Sequence, residues 1–142
     1  MKPQPTGLDH VVIRTRDLKV MAAFYCDVLG CTIDRWREEL GLVHLRAGNA
    51  FIDLADAEKA RQRAGANRPS SAATTEPGTS PNMDHLCLNV ANFDVEALNA
   101  HFAAHGLPRT EAVMRYGASG ERQSLYVADP EGNMVELRAA SV

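Results

Sequence analysis

The segment Gly7-Leu8-Asp9-His10-Val11-Val12-Ile13 returns further along the chain as Asn82-Met83-Asp84-His85-Leu86-Cys87-Leu88. Asp-His therefore stands at 9–10 and again at 84–85, each time opening an apolar run. Each copy leads into a turn and then a helical pattern that ends at a glycine, Gly30 in one case and Gly106 in the other. A second echo closes the unit: Gly48-Asn49-Ala50-Phe51-Ile52-Asp53-Leu54 is matched by Gly132-Asn133-Met134-Val135-Glu136-Leu137. Matches at both ends of a unit of about 60 residues mark an internal duplication.

Hydrophobic periodicity gives each copy the same plan of strand, helix and further strands. Residues 10–15 alternate, with Val11 and Ile13 on one face and His10, Val12 and Arg14 on the other. Asp17 is placed to cap a helix whose apolar stripe is Leu18, Met21, Ala22, Tyr25 and Leu29, stopped by Gly30. Strands are expected at 31–36, 42–47 and 50–55, with Gly48-Asn49 as a hairpin turn. The second copy predicts a strand at 85–90, a helix at 94–105, and strands near 108–115, 122–128 and 133–139. Asp129-Pro130-Glu131-Gly132 supplies the turn before the last strand. The fold class is α+β, one domain over 1–142, with module one at 7–55, a linker at 56–82 and module two at 83–140. The linker is rich in Ala, Gly, Pro, Ser and Thr, with room for a short helix near 57–64. It is read as an inert tether, the alternative being a lid.

Composition narrows the function. Fifteen Lys and Arg against eighteen Asp and Glu leave a formal charge of −3, without the basic stripe of a nucleic-acid binder. A hydrophobic share of 45% suits a globular core, and no apolar run is long enough to cross a membrane. The start of the chain reads as no secretory leader, and three cysteines without metal-type spacing fit a reduced, cytoplasmic setting.

The strand faces turned away from the helices should be bland if they were mere surface. Instead they collect His10 and Arg14, then His44, then Asp53, and in the second copy His85, Cys87, Asn89, Tyr126, Glu136 and Arg138. If the two sheets curl toward each other, these residues line one cavity. Two neutral imidazoles and one carboxylate on neighbouring strands suit a divalent metal while leaving coordination positions open. His10, His85 and Glu136 make that set, with Asp53 available as a further oxygen. Either histidine alone would read as a strand-end residue bonded to backbone; their duplication, each with an acid in its own module, favours ligation. His44 reads as an acid–base or substrate-binding group or an exposed strand residue, and Tyr126 as a donor to substrate oxygen or a core residue with its hydroxyl at the rim. Cys87 reads as a small filler, and His101 and His105, spaced i,i+4, as a solvated helix face.

Asp9-His10-Val11-Val12-Ile13, Asp17-Leu18, Phe24-Tyr25-Cys26-Asp27-Val28-Leu29-Gly30 and the run Tyr126 to Leu137 resemble the vicinal oxygen chelate superfamily. This group includes glyoxalase I, bleomycin resistance proteins, fosfomycin resistance enzymes, methylmalonyl-CoA epimerase and extradiol dioxygenases. The resemblance implies two tandem βαβββ modules whose curled mixed sheets form a metal-containing cavity, in which the metal chelates two neighbouring substrate oxygens. It places His10, His85 and Glu136 at metal positions, and Asp53 where glyoxalase I carries Glu, as a ligand, an outer group or a proton-transferring base. Arg14 matches an arginine of glyoxalase I that binds glutathione. The other glutathione contacts fall near Ala57 and Pro81, so glutathione is not the expected co-substrate. Tyr126 matches a tyrosine of the fosfomycin enzymes.

The resulting expectation is a glyoxalase-like enzyme using Ni, Co, Zn, Mn or Fe(II). Glu136 and Asp53 would move a proton in a lyase or isomerase step, and Arg14, His44 and Tyr126 would contact a small-molecule substrate. Two alternatives stay open: an Fe(II) extradiol-type dioxygenase, and a non-catalytic protein that sequesters a drug-like molecule. The modules of this family often pair across chains, so a homodimer is expected.

Overall fold

The computed structural model describes residues 1–67 and 83–141. Its contacts divide the chain into two compact units, Met1–Thr74 and Thr75–Val142. Each unit carries one four-stranded mixed sheet, and the duplication read from the sequence is repeated in the strand order.

In the first unit the elements are β1 (His10–Thr15), α1 (Leu18–Ala23), β2 (Thr32–Arg37), β3 (Leu42–Ala47), β4 (Ala50–Asp56) and α2 (Ala57–Asn67). The sheet runs β1-β4-β3-β2, with β1 parallel to β4 and the other pairs antiparallel. Asp17 caps α1 as expected, its carboxylate accepting from the Lys19 and Val20 amides at 3.1 Å each. Ile13, Met21, Tyr25, Val43, Leu45, Ile52 and Leu54 are buried and form the core between helix and sheet.

The helix expected to run unbroken to Gly30 does not. After α1 the chain takes a π-helical turn over Phe24–Val28, closed by the Leu29 amide donating to the Phe24 carbonyl at 3.3 Å. The wider turn lets two successive aromatic side chains, Phe24 and Tyr25, both be buried, packed edge to face at 5.7 Å between centroids. A 3.6-residue period puts neighbours about 100° apart and serves only one of them well. Of the segment read as a linker, Ala57–Asn67 is helix α2, and residues 68–82 lie outside the described residues.

The second unit has β5 (His85–Val90), α3 (Val95–Ala104), β6 (Val113–Gly117), β7 (Gly120–Ala128) and β8 (Met134–Ala139). Its sheet runs β5-β8-β7-β6, again with the outer pair β5 and β8 parallel. Phe102 of α3 packs into a core with Leu125, Val127, Val135 and Leu137, all buried. The strand expected near 108–115 begins only at Val113. Pro108 has no amide proton to give a ladder. The Thr110 backbone is taken by Asn99 of α3, which donates to its carbonyl at 3.0 Å and accepts from its amide at 2.9 Å. The final turn is as read: Asp129 accepts from the Glu131 and Asn133 amides at 2.9 Å each, and Gly132 takes a φ of 84° before β8.

Among the described residues, no helix is long and apolar enough to cross a membrane.

Candidate functional site

The sheet of each unit has one face on its helix and one face free of it, and strand register decides what gathers on the free face. In the first unit Val12, Asp53 and His44 stand side by side across β1, β4 and β3. His10 and Arg14 flank Val12 on the same face of β1, and both are exposed. Asp53 is 7% exposed, and its carboxylate lies 2.8 Å from His44 Nδ1. His10 Nδ1 is 2.6 Å from the carboxylate of its chain neighbour Asp9. That bond raises the His10 pKa above the ordinary 6.5, partial burial opposing it and the Asp53 and Asp9 charges adding to it.

In the second unit the corresponding row is Cys87, Glu136 and Tyr126 across β5, β8 and β7. His85 repeats the local device of His10, with Nδ1 2.6 Å from the Asp84 carboxylate. Its other nitrogen, Nε2, lies 3.1 Å from Glu136 Oε2, and its ring sits edge-on to Tyr126 at 5.7 Å. Glu136 is 5% exposed, and Ser124 donates a 2.5 Å hydrogen bond to its Oε1. Burial alone would raise the Glu136 pKa. Hydrogen bonds from Ser124 and Tyr126, with the charges of His85 and Arg138, outweigh it and hold the carboxyl below its ordinary range. Glu136 is therefore an ionised carboxylate in a nearly closed setting, the state a metal ligand needs.

The two rows are chemically unequal. In the second unit the acid reaches the histidine of its own Asp-His pair. In the first, the shorter Asp53 is engaged by His44 and touches His10 only through its charge. The unit thus pairs Asp53 with His44, a partnership the sequence did not announce. Partial burial and the Glu136 carboxylate push the Cys87 thiol up to about 11, so it carries no thiolate at neutral pH. His101 on α3 and His105 at its C-terminal cap are exposed, their rings 4.7 Å apart. Within either unit, among the described residues, no three His, Cys, Asp or Glu side chains form a ready-made metal cage.

Three contributors escaped the sequence reading. Asp9 and Asp84 each engage Nδ1 of the histidine that follows, which leaves Nε2 of His10 for another partner and Nε2 of His85 for Glu136. Their signal was present in the repeat itself, where each histidine follows an aspartate. Ser124 anchors Glu136, and strand alternation could have found it, because it lies two residues before Tyr126 on one strand.

The donor set suits a divalent cation. Two ligands bound at about 2.1 Å and roughly at right angles lie about 3 Å apart. Glu136 Oε2 and His85 Nε2 stand at 3.1 Å. The same spacing also suits a direct hydrogen bond between them.

Comparison with known proteins identifies the family. The family description Glyoxalase/Bleomycin resistance protein/Dioxygenase superfamily matches residues 7–137. The chain is 30% identical over 132 residues to the glyoxalase domain-containing protein RDO1 of Mycosarcoma maydis, covering 92% of this chain and 66% of that protein. It thus spans just under two thirds of that relative's length. It is 26% identical over 131 residues to the virulence protein STM3117 of Salmonella typhimurium, covering 92% of this chain and 81% of that one. The crystal structure of STM3117 superposes with a TM-score of 0.69 at 22% identity over 98% of this chain and 100% of that one. Lactoylglutathione lyase from Agrobacterium tumefaciens gives a TM-score of 0.64 at 23% identity, covering 97% of this chain and 96% of that one. At such identities the structural likeness establishes the fold, while the match over residues 7–137 establishes the family. The chain belongs to the glyoxalase/bleomycin resistance protein/dioxygenase superfamily.

Proposed function

We propose that this chain is a metal-dependent enzyme acting on a small substrate that presents two adjacent oxygens, by proton transfer of the lyase or isomerase kind. The observation that carries the reading is the repeated Asp-His pair. In both units a carboxylate holds Nδ1 at 2.6 Å, which directs Nε2 away from it, in His85 toward Glu136. Family membership supports combining His10, His85 and Glu136 as the proposed ligands of one divalent ion, Ni, Co, Zn, Mn or Fe(II), drawn from one chain or from two chains of a homodimer. When bound, such an ion polarises a substrate carbonyl and stabilises the anion that forms beside it.

The chain's own residues then have separate tasks. Asp84, by accepting from Nδ1, favours the His85 tautomer whose Nε2 lone pair is free to bind a metal. Ser124 and Tyr126 keep Glu136 ionised. Asp53 and His44 form a dyad in which the carboxylate, 2.8 Å from Nδ1, orients the imidazole. This equips them to hold and return a proton at His44 Nε2. Arg14, exposed beside His10 and Val12 on β1, is available to meet a polar part of the substrate.

Elemental analysis of protein reconstituted with nickel or zinc tests the assignment. About one ion per chain is expected, falling below about a tenth in His85→Ala and in Glu136→Gln. Metal retained by both variants overturns the ligand set. Oxygen uptake with catechols after iron loading would instead assign the dioxygenase chemistry. Ligand binding without stoichiometric metal would assign a sequestering protein.

A further inference from the structure

The free face of the second sheet carries more positive charge than its acids answer. Arg115 of β6 and Arg122 of β7 are directly paired across the sheet. Arg138 of β8 is paired with Ser124 one step along the same face. Like charges at directly opposed strand positions destabilise a sheet unless something lies between them. Among the described residues, neither Arg115 nor Arg122 has a carboxylate in ion-pair range. Arg115 donates to the Met114 carbonyl at 3.2 Å and stands 5.9 Å from the Tyr126 ring. Glu121 pairs with Tyr116 and, by strand alternation, lies on the opposite face from Arg122. The acid on this face is Glu136, whose Oε1 is 3.9 Å from Arg138 Nη1, and it is also held by Ser124 and Tyr126.

Arg138 is the best-defined of the three. It is 4% exposed, donates from Nη1 to the Arg115 carbonyl at 2.9 Å, and donates from Nη2 to the Gly120 carbonyl. Its guanidinium lies so close over Gly117 that a Cβ there would stand 3.0 Å from Cζ, so glycine at 117 makes room for it. Those two bonds tie the β6–β7 hairpin but leave Nε buried and without a hydrogen-bond partner. Arg122 Nε is buried and unpartnered as well. Two unsatisfied guanidinium N–H groups on one sheet face are costly and call for an acceptor.

We infer that Arg115, Arg122 and Arg138 form a binding site for an oxyanion, a carboxylate or phosphate group, carried by the substrate at the end remote from its metal-chelating oxygens. This rests on the function proposed above and names its substrate class: a small acid with two adjacent oxygens at one end and a second anionic group at the other. Arginine suits the task because its planar fork gives an oxyanion two parallel donors. The 3.9 Å approach of Arg138 to Glu136 puts the cation cluster next to the proposed metal ligand.

Matched pairs of probes test this on the full chain. Lactate and malate share a 2-hydroxy-acid chelating end and differ by a second carboxylate; glycerate and 3-phosphoglycerate differ by a phosphate. Calorimetric titration of nickel-loaded protein is expected to show the member with the second anionic group, in at least one pair, binding about tenfold more tightly, the worth of one charge-assisted hydrogen bond. The pair with the larger preference identifies the oxyanion. Arg122→Gln and Arg115→Gln should abolish the preference and leave lactate and glycerate binding unchanged. Gly117→Ala, which displaces the Arg138 guanidinium without removing charge, should reduce it. Equal binding within both pairs, or a preference that survives both glutamine variants, overturns the site.

A metal-free arm separates this outcome from failure of the metal assignment. Inorganic phosphate should raise the melting temperature of chelator-treated wild type and not of Arg122→Gln. That result supports the anion site even if nickel is never held; no Arg122-dependent shift counts against it.

Discussion

The decisive residue-scale fact is that two carboxylates of similar position have different partners. Glu136 is locked by Ser124 and reaches His85, whereas Asp53 is engaged by His44. Because the folded pKa of Glu136 is lowered, its contribution to stability is fully present above the unfolded carboxyl value near 4.5 and is lost as pH falls through the folded value. Ser124→Ala removes a hydrogen bond to a charged group, worth about 1.5–3 kcal/mol. The Glu136 pKa should therefore rise, and acid unfolding should begin at higher pH, as followed by carboxyl-carbon NMR titration and by circular dichroism. An unmoved Glu136 titration would mean that the Ser124 contact does not hold the charge. His10, His85, Glu136, Asp53 and Arg14 could be placed on the free faces from strand alternation alone. The His44–Asp53 contact and the Ser124 anchor could not, because alternation gives a face and not a rotamer.

At the scale of elements, sequence periodicity located most strands to within a residue or two, and its two misplacements have identifiable causes. The π-turn at Phe24–Val28 accommodates a second buried aromatic, which a search for one helical stripe does not register. The late start of β6 follows from a side chain on another element: Asn99, 4% exposed, holds Thr110 by both backbone groups and also donates to the Val95 carbonyl at 3.0 Å. Nothing local to 108–112 records that competition. Asn99→Ala should cost about 1–3 kcal/mol, since it leaves the Thr110 backbone groups without their partner. Urea unfolding measures this, and a loss below about 0.5 kcal/mol, the usual range for a neutral surface change, would show that the loop is held by other means. The Arg109 guanidinium, bonded to the exposed Glu96 carboxylate at 2.6 and 3.0 Å, is the evident alternative clamp.

Over the whole molecule, the duplication is legible because both ends of each repeat carry matching motifs, and both sheets show the same strand order. Substrate identity is not legible at that scale, since the fold hosts several chemistries. Metal should act on the molecule as a folding ligand. At a free concentration a thousand times its dissociation constant, one bound ion adds about 4 kcal/mol of stability. Zinc should thus raise the melting temperature of wild type, and His85→Ala should lose that rise. The experiment is best run with His101→Ala and His105→Ala in both proteins, because two imidazoles one helical turn apart, 4.7 Å between rings, can hold a metal weakly by themselves. A full rise in the His85→Ala background would place the stabilising ion elsewhere.

One contact has a bearing on how such a chain could arise. The carboxylate that sets each imidazole is its immediate chain neighbour, Asp9 for His10 and Asp84 for His85. Two adjacent codons therefore transmit a correctly oriented donor, and copying the gene segment copies it complete. The acid opposite is held only when folded sheet brings together Ser124 and Glu136, twelve positions apart in the chain. Inheritance of the first is a matter of sequence and of the second a matter of architecture. The two repeats differ where that division predicts: the dipeptide is the same in both, while the acid is Asp53 in one and Glu136 in the other.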